Sequence, residues 1–432
     1  MEGAISPSKP LPYVIPGACT VHGERLRSKR VNVSKISFKE ALSLALENVT
    51  RLGSELIPVM NSVGRAAAEN VAALVDSPSV DASMKDGYAV VSNDVEHASP
   101  TNPVTLEAIG SLGPGENSHI SVKRGKAIRI LSGAPIPEGC DAVLADEFAQ
   151  SENRSVTAVA DAHPGRNILF KGIDVEVGET LVIDGREITP QVVGLLVAGG
   201  VSEIKVTRRP RVGLLATGDE VLMPGRPIEA GKLYASNLAL QQAWLTSRSI
   251  PSVSITANDS FNDLTRTVES MLLETDVIIT SGGAWKGDRD LIISVFESLG
   301  WKQIFHRVKL GPGKAIGMGI LNGKTIFCLP GGPPSNEAAF LLIAFPAVCK
   351  ISGHEGSPFM RITGRLESEI SGQETWTQVV HCLLTKQGNE FRLTPLEMKR
   401  RLVSMARTQA IVLIPEGIER IPAGSEVDFI LL

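Results

Sequence analysis

The sequence predicts a multidomain chain of the α/β plus β class. Its parts are an α/β sandwich with a largely parallel sheet, an inserted small β domain and a C-terminal small β-barrel-like domain. Three observations predict it. Between residues 205 and 350, short aliphatic runs alternate with segments of helical spacing, the pattern of βαβ units. From Ala82 to about Ala160, and again beyond Gly353, strand-length runs follow one another with turns between them and no helical period. Three apolar runs of the α/β region end in glycine turns that carry Ser, Thr or Asp: Arg211–Ala216 before Thr217-Gly218-Asp219-Glu220, Asp276–Thr280 before Ser281-Gly282-Gly283, and Lys324–Leu329 before Pro330-Gly331-Gly332. In open α/β sheets ligands bind outside the carboxyl ends of the strands, so these three turns are expected to line one crevice.

In chain order, residues 1–35 hold four prolines and a basic run at Arg25, Arg27, Lys29 and Arg30, and are expected to form a loosely attached extension. Ser37-Phe-Lys-Glu40 is a capping box, and Ala41, Leu42, Leu44, Ala45 and Leu46 continue it as a helix to about Val49. Residues 61–65 read as a turn, and Ala66–Leu74 is apolar enough for strand or helix. Tyr88–Val91, Val104–Ile109, Ala127–Leu131, Ala142–Ala145 and Ser155–Val159 are the strand-like runs of an inserted β domain, residues 81–163. Residues 36–80 and 164–204 flank it as one linker domain. Within the second of these, Thr189-Pro190 starts a helix that Gly199-Gly200 stops.

The α/β domain, residues 205–352, is expected to run from the Val212–Ala216 strand to a helix from Ser236. It continues through Val253–Thr256 to a helix capped by Ser260, then through the Asp276 strand to a helix from Asp288 onward. Asn322-Gly323 is a two-residue hairpin signal, and a last helix follows Ser335 toward Pro346. Gly353–Pro358 reads as a linker. Beyond it Arg361–Leu366, Gln378–Leu384, Glu390–Leu393, Ala410–Ile414 and Val427–Leu432 make the C-terminal β domain, residues 353–432.

Composition narrows the class. A chain of 432 residues exceeds one ordinary core. With 43% hydrophobic and 21% charged residues and a net charge of −4, it has neither the basic bias of a nucleic-acid binder nor a membrane-surface signature. The five cysteines are scattered without a CxxC pair, which argues against a disulfide framework or a zinc site. No run approaches the ~20 apolar residues of a membrane span, and a cytoplasmic location is expected.

The chemistry starts from the glycine turns. A strand, a glycine turn and a helix N-terminus form an anion-binding arrangement, because free backbone N–H groups and the helix dipole converge there. The plain alternative is a tight βα connection with a solvated acidic cap.

Several segments resemble the molybdopterin molybdenumtransferase family, whose members are homologous to the C-terminal part of gephyrin. They are Met84-Lys-Asp-Gly-Tyr-Ala89, Ser132-Gly-Ala-Pro-Ile-Pro-Glu-Gly-Cys-Asp-Ala-Val143, Gly172-Ile-Asp174 and Thr217-Gly-Asp-Glu220. Ser236-Asn237, Ser281-Gly-Gly283 with Gly287 and Asp290, Pro312-Gly-Lys314, and Leu329-Pro-Gly331 with Pro333 and Ser335 follow in the family's order. The resemblance runs from about Ser37 to Leu432. It implies a homodimer held by the linker domain, with an active site shared between the α/β domain of one subunit and the inserted domain of the other. It implies insertion of molybdate into adenylylated molybdopterin with release of AMP, assisted by Mg²⁺, and it makes the molybdopterin adenylyltransferase a candidate partner.

Carried over by motif, the catalytic residues are Asp86, Asp174, Glu220, Asp259 and Asp290, of which Glu220, Asp259 and Asp290 would hold Mg²⁺ through hard oxygen ligands. Thr217, Gly218, Ser236, Asn237, Ser281, Gly282, Gly283, Lys314, Gly331 and Ser335 would bind the pterin nucleotide and the oxyanion. For the carboxylates and Lys314 the plain alternatives are turn caps and exposed loop residues. The chain departs from the family at Gly311, where a lysine is usual and Lys309 lies two residues earlier. It departs also at Trp285, Gly332, Leu169, Phe170 and Gln378. Three readings remain open at this point: the family reaction, a diverged paralogue for another pterin, nucleotide or metal oxyanion, and a non-catalytic dimeric scaffold.

Overall fold

The computed structural model describes residues 35–116, 119–225, 227–282 and 291–432. The expectations for residues 1–34, and those for Gly283, Trp285, Gly287, Asp290 and a helix start at Asp288, lie outside the described residues.

The α/β unit is built on a sheet in the order Ser252–Ala257, Val212–Thr217, Val277–Ser281, Lys324–Leu329, Gly317–Leu321, Lys302–His306. The first four strands are parallel and the last two add antiparallel pairs at one edge. Val212–Thr217, Val277–Ser281 and Lys324–Leu329 are buried nearly throughout, which is why they read as continuous apolar runs without alternation. The Asn322-Gly323 hairpin forms as expected, both residues taking left-handed φ of 50° and 76°.

Helices Ser236–Ser247, Phe261–Glu274 and Leu291–Ser298 pack on this sheet, the second through Leu264, Val268, Met271 and Leu272. Ser260 holds the N-cap position of that helix, but its side chain makes no capping hydrogen bond, so the expected cap is positional only. The last helix also differs from expectation. It starts at Pro333, not after Ser335, and passes Pro346, reaching Ile351 through a π-turn at Phe340–Ala344. Proline has no N–H to give to the preceding turn, and the wider turn, in which Phe345 N–H donates to Phe340 O, lets the helix pass without a break.

The strand Val308–Gly311 leaves the α/β sheet at Arg307, whose φ is 69°, and pairs in parallel with Ile36–Ser37 on one side and Thr377–Gln387 on the other. It thereby ties the α/β unit to the C-terminal barrel. That barrel closes in the order Thr377–Gln387, Glu390–Pro395, Arg361–Leu366, Glu426–Leu431, Ala410–Ile414 and back to Thr377–Gln387, around Leu366, Cys382, Leu393, Val412 and Phe429. The helix Phe38–Glu47, whose Ser37 Oγ accepts from Glu40 N–H at 3.1 Å, packs Phe38, Ala41, Leu42 and Ala45 into the α/β core.

The chain then leaves and returns through three nested antiparallel ladders: Ser54–Pro58 with Glu203–Thr207, Val71–Ala72 with Thr180–Val182, and Ala82–Ser83 with Ile168–Leu169. Beyond the last ladder lies the inserted sheet, in the order Ala142–Ala145, Gly87–Val90, Lys126–Ile130, Val104–Leu112, Ser155–Ala158, Ala149–Glu152.

Where the α/β unit meets the barrel, Glu337 faces His381 with Nδ1 3.7 Å from Oε2, the side chains being 6% and 1% exposed. Burial pushes Glu337 up to about 7 and His381 down to about 4, so His381 is neutral at neutral pH and Glu337 keeps its proton below about pH 7. Because the folded value of Glu337 lies above its ordinary 4.5, the proton it holds stabilises the fold below that value, and this contribution is lost as pH rises through about 7. Glu337→Gln keeps the shape without the titration. Wild type is therefore expected to lose stability relative to the variant between about pH 5 and about pH 8, by on the order of 3 kcal/mol at most. Parallel melting profiles of the two proteins across that range would refute the assignment.

Candidate functional site

The three strand ends do converge. Ala216 pairs with Ser281 and Ser281 with Leu329. Gly282, at φ 98°, approaches the first strand so closely that a Cβ there would stand 3.0 Å from Thr217 O; one on Gly331 would stand 3.6 Å from Gly282 Cα. Glycine is thus required for torsion and close approach. Supplying N–H donors to a ligand is not its role at two of these turns: Gly218 N–H donates to Ala257 O at 3.4 Å and Gly282 N–H to Leu329 O at 3.1 Å. That corrects the expectation that these glycines offer free N–H groups, since the adjoining strands use them. Thr217 is buried at the end of its own strand.

Side-chain amides knit the floor. Asn237 Nδ2 donates to Ser281 Oγ at 3.0 Å and to Gly331 O at 2.8 Å. Asn336 Nδ2 donates to the same Ser281 Oγ at 3.2 Å and to Pro330 O at 2.9 Å, and Asn336 Oδ1 accepts from Gln241 Nε2 at 2.7 Å. Asn237 and Gln241 stand four residues apart on the helix Ser236–Ser247 and so share a face, while Ser236 is its first residue. Asn336 and Gln241 were absent from the sequence expectations. The available signal was the i, i+4 amide pair, together with an amide in the first turn of the helix that opens at Pro333.

Carboxylates line the other side. Glu220 folds back over Gly218, a Cβ on which would stand 2.6 Å from Glu220 Oε2. Asp219 Oδ1 accepts from Asp259 N–H at 3.1 Å. Burial raises the Asp259 carboxyl above its ordinary range, and the neighbouring charges of Asp219 and Glu220 raise it further. Among the described residues, no group of three or more Asp, Glu, His or Cys side chains is arranged to hold a metal ion. The expected trio of Glu220, Asp259 and Asp290 is represented by its first two members, with Asp219 added between Gly218 and Glu220. Mutually repelling carboxylates suit a hard divalent cation of the Mg²⁺ type, which commonly takes one or two protein carboxylates and completes its shell with water and substrate phosphate.

Among the described residues the rim offers fewer cations than expected. Gly313, at φ 122°, lays the loop carrying Lys314 against the start of the Pro333 helix, a Cβ there standing 3.5 Å from Ser335 O, and Lys314 itself is exposed. Pro333 and Pro334 occupy the first helical positions and have no N–H, so the anticipated oxyanion nest beside Ser335 lacks two of its donors. Lys309 does not stand in for the lysine missing at Gly311: its Nζ lies 3.4 Å from Glu416 Oε2 of the barrel region. Gly311 rests instead on the Gln378 amide, which would be 3.1 Å from a Cβ at that position.

Asp86 and Asp174 are not on these turns. The Asp86 carboxylate accepts Ser132 N–H at 2.7 Å and lines a cleft of the inserted unit with Met84, Lys85, Asp146 and Glu147. Asp174 is exposed, in a turn whose N–H donates to Ser77 O at 3.0 Å.

Three family models match the chain: "MoeA N-terminal region (domain I and II)" over residues 36–200, "Probable molybdopterin binding domain" over 213–350, and "MoeA C-terminal region (domain IV)" over 363–432. A protein of Staphylococcus epidermidis named molybdopterin molybdenumtransferase is 29% identical over 399 residues, covering 92% of this chain and 95% of its own. The Bacillus subtilis protein of that name is 29% identical over 386 residues, covering 88% and 90%. Among solved structures, the molybdopterin biosynthesis moeA protein of Pyrococcus horikoshii superposes with a TM-score of 0.80 at 30% identity, over 92% of this chain and 99% of that one.

Proposed function

Since the chain belongs to the MoeA family, we propose that it is a molybdopterin molybdenumtransferase of molybdenum cofactor biosynthesis, inserting molybdate into adenylylated molybdopterin with release of AMP and the help of Mg²⁺. The observation that carries the reading is the crevice itself, where Asp219, Glu220 and Asp259 face a floor of neutral donors built on Ser281. Glu220 and Asp259 are the described residues that would hold Mg²⁺, water and substrate phosphate completing its shell, with Asp290 as a further candidate. When bound, the ion supplies positive charge to the phosphoanhydride oxygens. Ser281 and the loop bearing Lys314 would orient the anionic groups of pterin nucleotide and molybdate. The molybdopterin adenylyltransferase would supply the substrate. No helix among the described residues is long and apolar enough to cross a membrane, which accords with the cytoplasmic location we propose.

A homodimer belongs to the same reading. The helix Pro190–Ala198 buries only Leu196 and leaves Leu195 and Val197 exposed, and Leu74, Val75, Ile173 and Val177 of the same unit are exposed as well. An apolar helix with so little cover is a surface for a second copy. Asp86 and Asp174 would then serve the partner's crevice. The neutral pair Gly311 and Gln378, with Lys309 drawn off by Glu416, favours a second reading, a diverged paralogue for a less highly charged pterin or nucleotide.

The deciding experiment titrates the protein calorimetrically with molybdopterin and with its adenylylated form, with and without Mg²⁺ and molybdate, while following released AMP. Molybdate-dependent release is expected. Binding without release would favour the second reading, and absence of binding would end both. Sedimentation should give a dimer, and Leu195→Glu with Val197→Glu should give monomers that have lost turnover.

A further inference from the structure

We infer that Asn336 and Gln241 are positioning residues that oblige the Ser281 hydroxyl to donate its proton into the crevice, toward an anionic oxygen of the ligand. The inference rests on the functional reading above for the identity of that ligand, and on hydrogen-bond polarity for everything else. Pro330 O and Gly331 O are carbonyls and can only accept. They fix the amide nitrogens of Asn336 and Asn237, which lie 2.9 and 2.8 Å from them, and so fix which end of each amide is which. Asn336 must then present Oδ1 to Gln241, and Gln241 must answer with Nε2, at 2.7 Å. This leaves the buried Gln241 Oε1 without a hydrogen-bond partner, so Gln241 is held in an orientation that its own carbonyl oxygen does not favour.

Both amide nitrogens also face Ser281 Oγ, at 3.0 and 3.2 Å. An oxygen that accepts from two donors has used both lone pairs, and its O–H can point at neither of them. The hydroxyl proton is left to a third acceptor, and none is recorded among the described residues. Ser281 ends the central strand beside the turns of Gly218 and Gly331, where the N–H groups of Gly218 and Gly282 are already bonded to neighbouring strands. A preset hydroxyl donor there replaces backbone donors that the turns have used up, and it would bind an oxygen of phosphate or of a metal oxyanion.

The test compares Ser281→Ala, Asn336→Asp, the double variant and Gln241→Leu. Asparagine-to-aspartate is nearly isosteric but turns the donor facing Ser281 into an acceptor, so the hydroxyl would swing back to residue 336 and leave the crevice. Each of the first two variants is expected to raise one Michaelis constant, for adenylylated molybdopterin or for molybdate, by about ten- to hundredfold, the worth of one hydrogen bond to a charged group. Which constant rises identifies the oxygen as phosphate or molybdate. The double variant should be no worse than either single one, because both remove the same proton. Gln241→Leu, which introduces no charge, should raise the same constant less and guards against misfolding of Asn336→Asp. A wild-type constant in Asn336→Asp, or losses that multiply in the double variant, would overturn the inference. If wild type releases no AMP, the functional reading falls, and the same four variants compared by titration with molybdopterin still decide the polarity argument.

Discussion

Alanine at position 87 is expected to break the pairing of the strand Gly87–Val90 with the edge strand Ala142–Ala145 of the inserted sheet and to destabilise that unit by at least about 3 kcal/mol. Gly87 opens the strand Gly87–Val90, with Ile130 opposite on one side and Ala145 on the other. A Cβ on it would stand 2.0 Å from Leu144 O and 2.9 Å from Ala145 Cα. These are backbone atoms, and no rotamer change moves them, so one strand must shift and the ladder with it. The residue before it is Asp86, whose carboxylate is held by Ser132 N–H, so the cleft at this end of the sheet should be lost together with the strand. Amide exchange over residues 87–90, 126–130 and 142–145 should accelerate, and the melting temperature should fall. Gly53→Ala is the control, because nothing lies within 4 Å of a Cβ there and no left-handed φ is required. Equal stability of the two variants would disprove the packing argument.

Asp259→Asn should abolish Mg²⁺-assisted turnover, lowering molybdate-dependent AMP release by at least about a hundredfold, while leaving the metal-free protein as stable as wild type or more so. Both effects have one origin. Burial, Asp219 and Glu220 all raise the Asp259 carboxyl, which means that its ionised form is disfavoured in the fold. With the folded value above the ordinary one, the stabilising contribution is complete at low pH and falls away as pH rises through the carboxylate range, and asparagine removes that loss. The cation that would relieve the repulsion in wild type has less to bind in the variant. Melting with and without Mg²⁺ separates the two effects: wild type should gain stability from the ion and the variant should not. A variant that turns over normally, or one that Mg²⁺ stabilises as strongly as wild type, would refute the role given to these carboxylates.

Much of this was legible in the sequence because it depends on local chemistry. Ser37 caps its helix, Thr189 with Pro190 opens another, and Asn322-Gly323 turns a hairpin, since each effect acts within a few residues. The strands Ala142–Ala145, Arg361–Leu366 and Ala410–Ile414 have the limits their apolar runs predicted. The strands Lys302–His306 and Val308–Gly311 had no such signal. One is a short edge strand, and the other is held between two segments distant in the chain, Ile36–Ser37 and Thr377–Gln387. The π-turn that carries a helix past Pro346 was equally hidden, because burial of the helix outweighs the local cost of the proline.

The site divides along the same line. Residue types, their spacing and the glycine turns are properties of the sequence, and they were sufficient for the class of fold and for the meeting of the strand ends, while Glu220, Asp259, Asn237 and Ser281 entered as site residues through the family resemblance and their roles are proposals. Which groups are free to act was decided in three dimensions. Lys309 is diverted to Glu416, the N–H groups of Gly218 and Gly282 are taken by neighbouring strands, and Pro333 with Pro334 thins the donors at a helix start. Asn336 and Gln241, nearly one hundred residues apart in the chain, meet at 2.7 Å and set the polarity of Ser281. A sequence carries donors and acceptors, but a hydrogen bond consumes them in pairs, and only the packed structure determines which remain for a ligand.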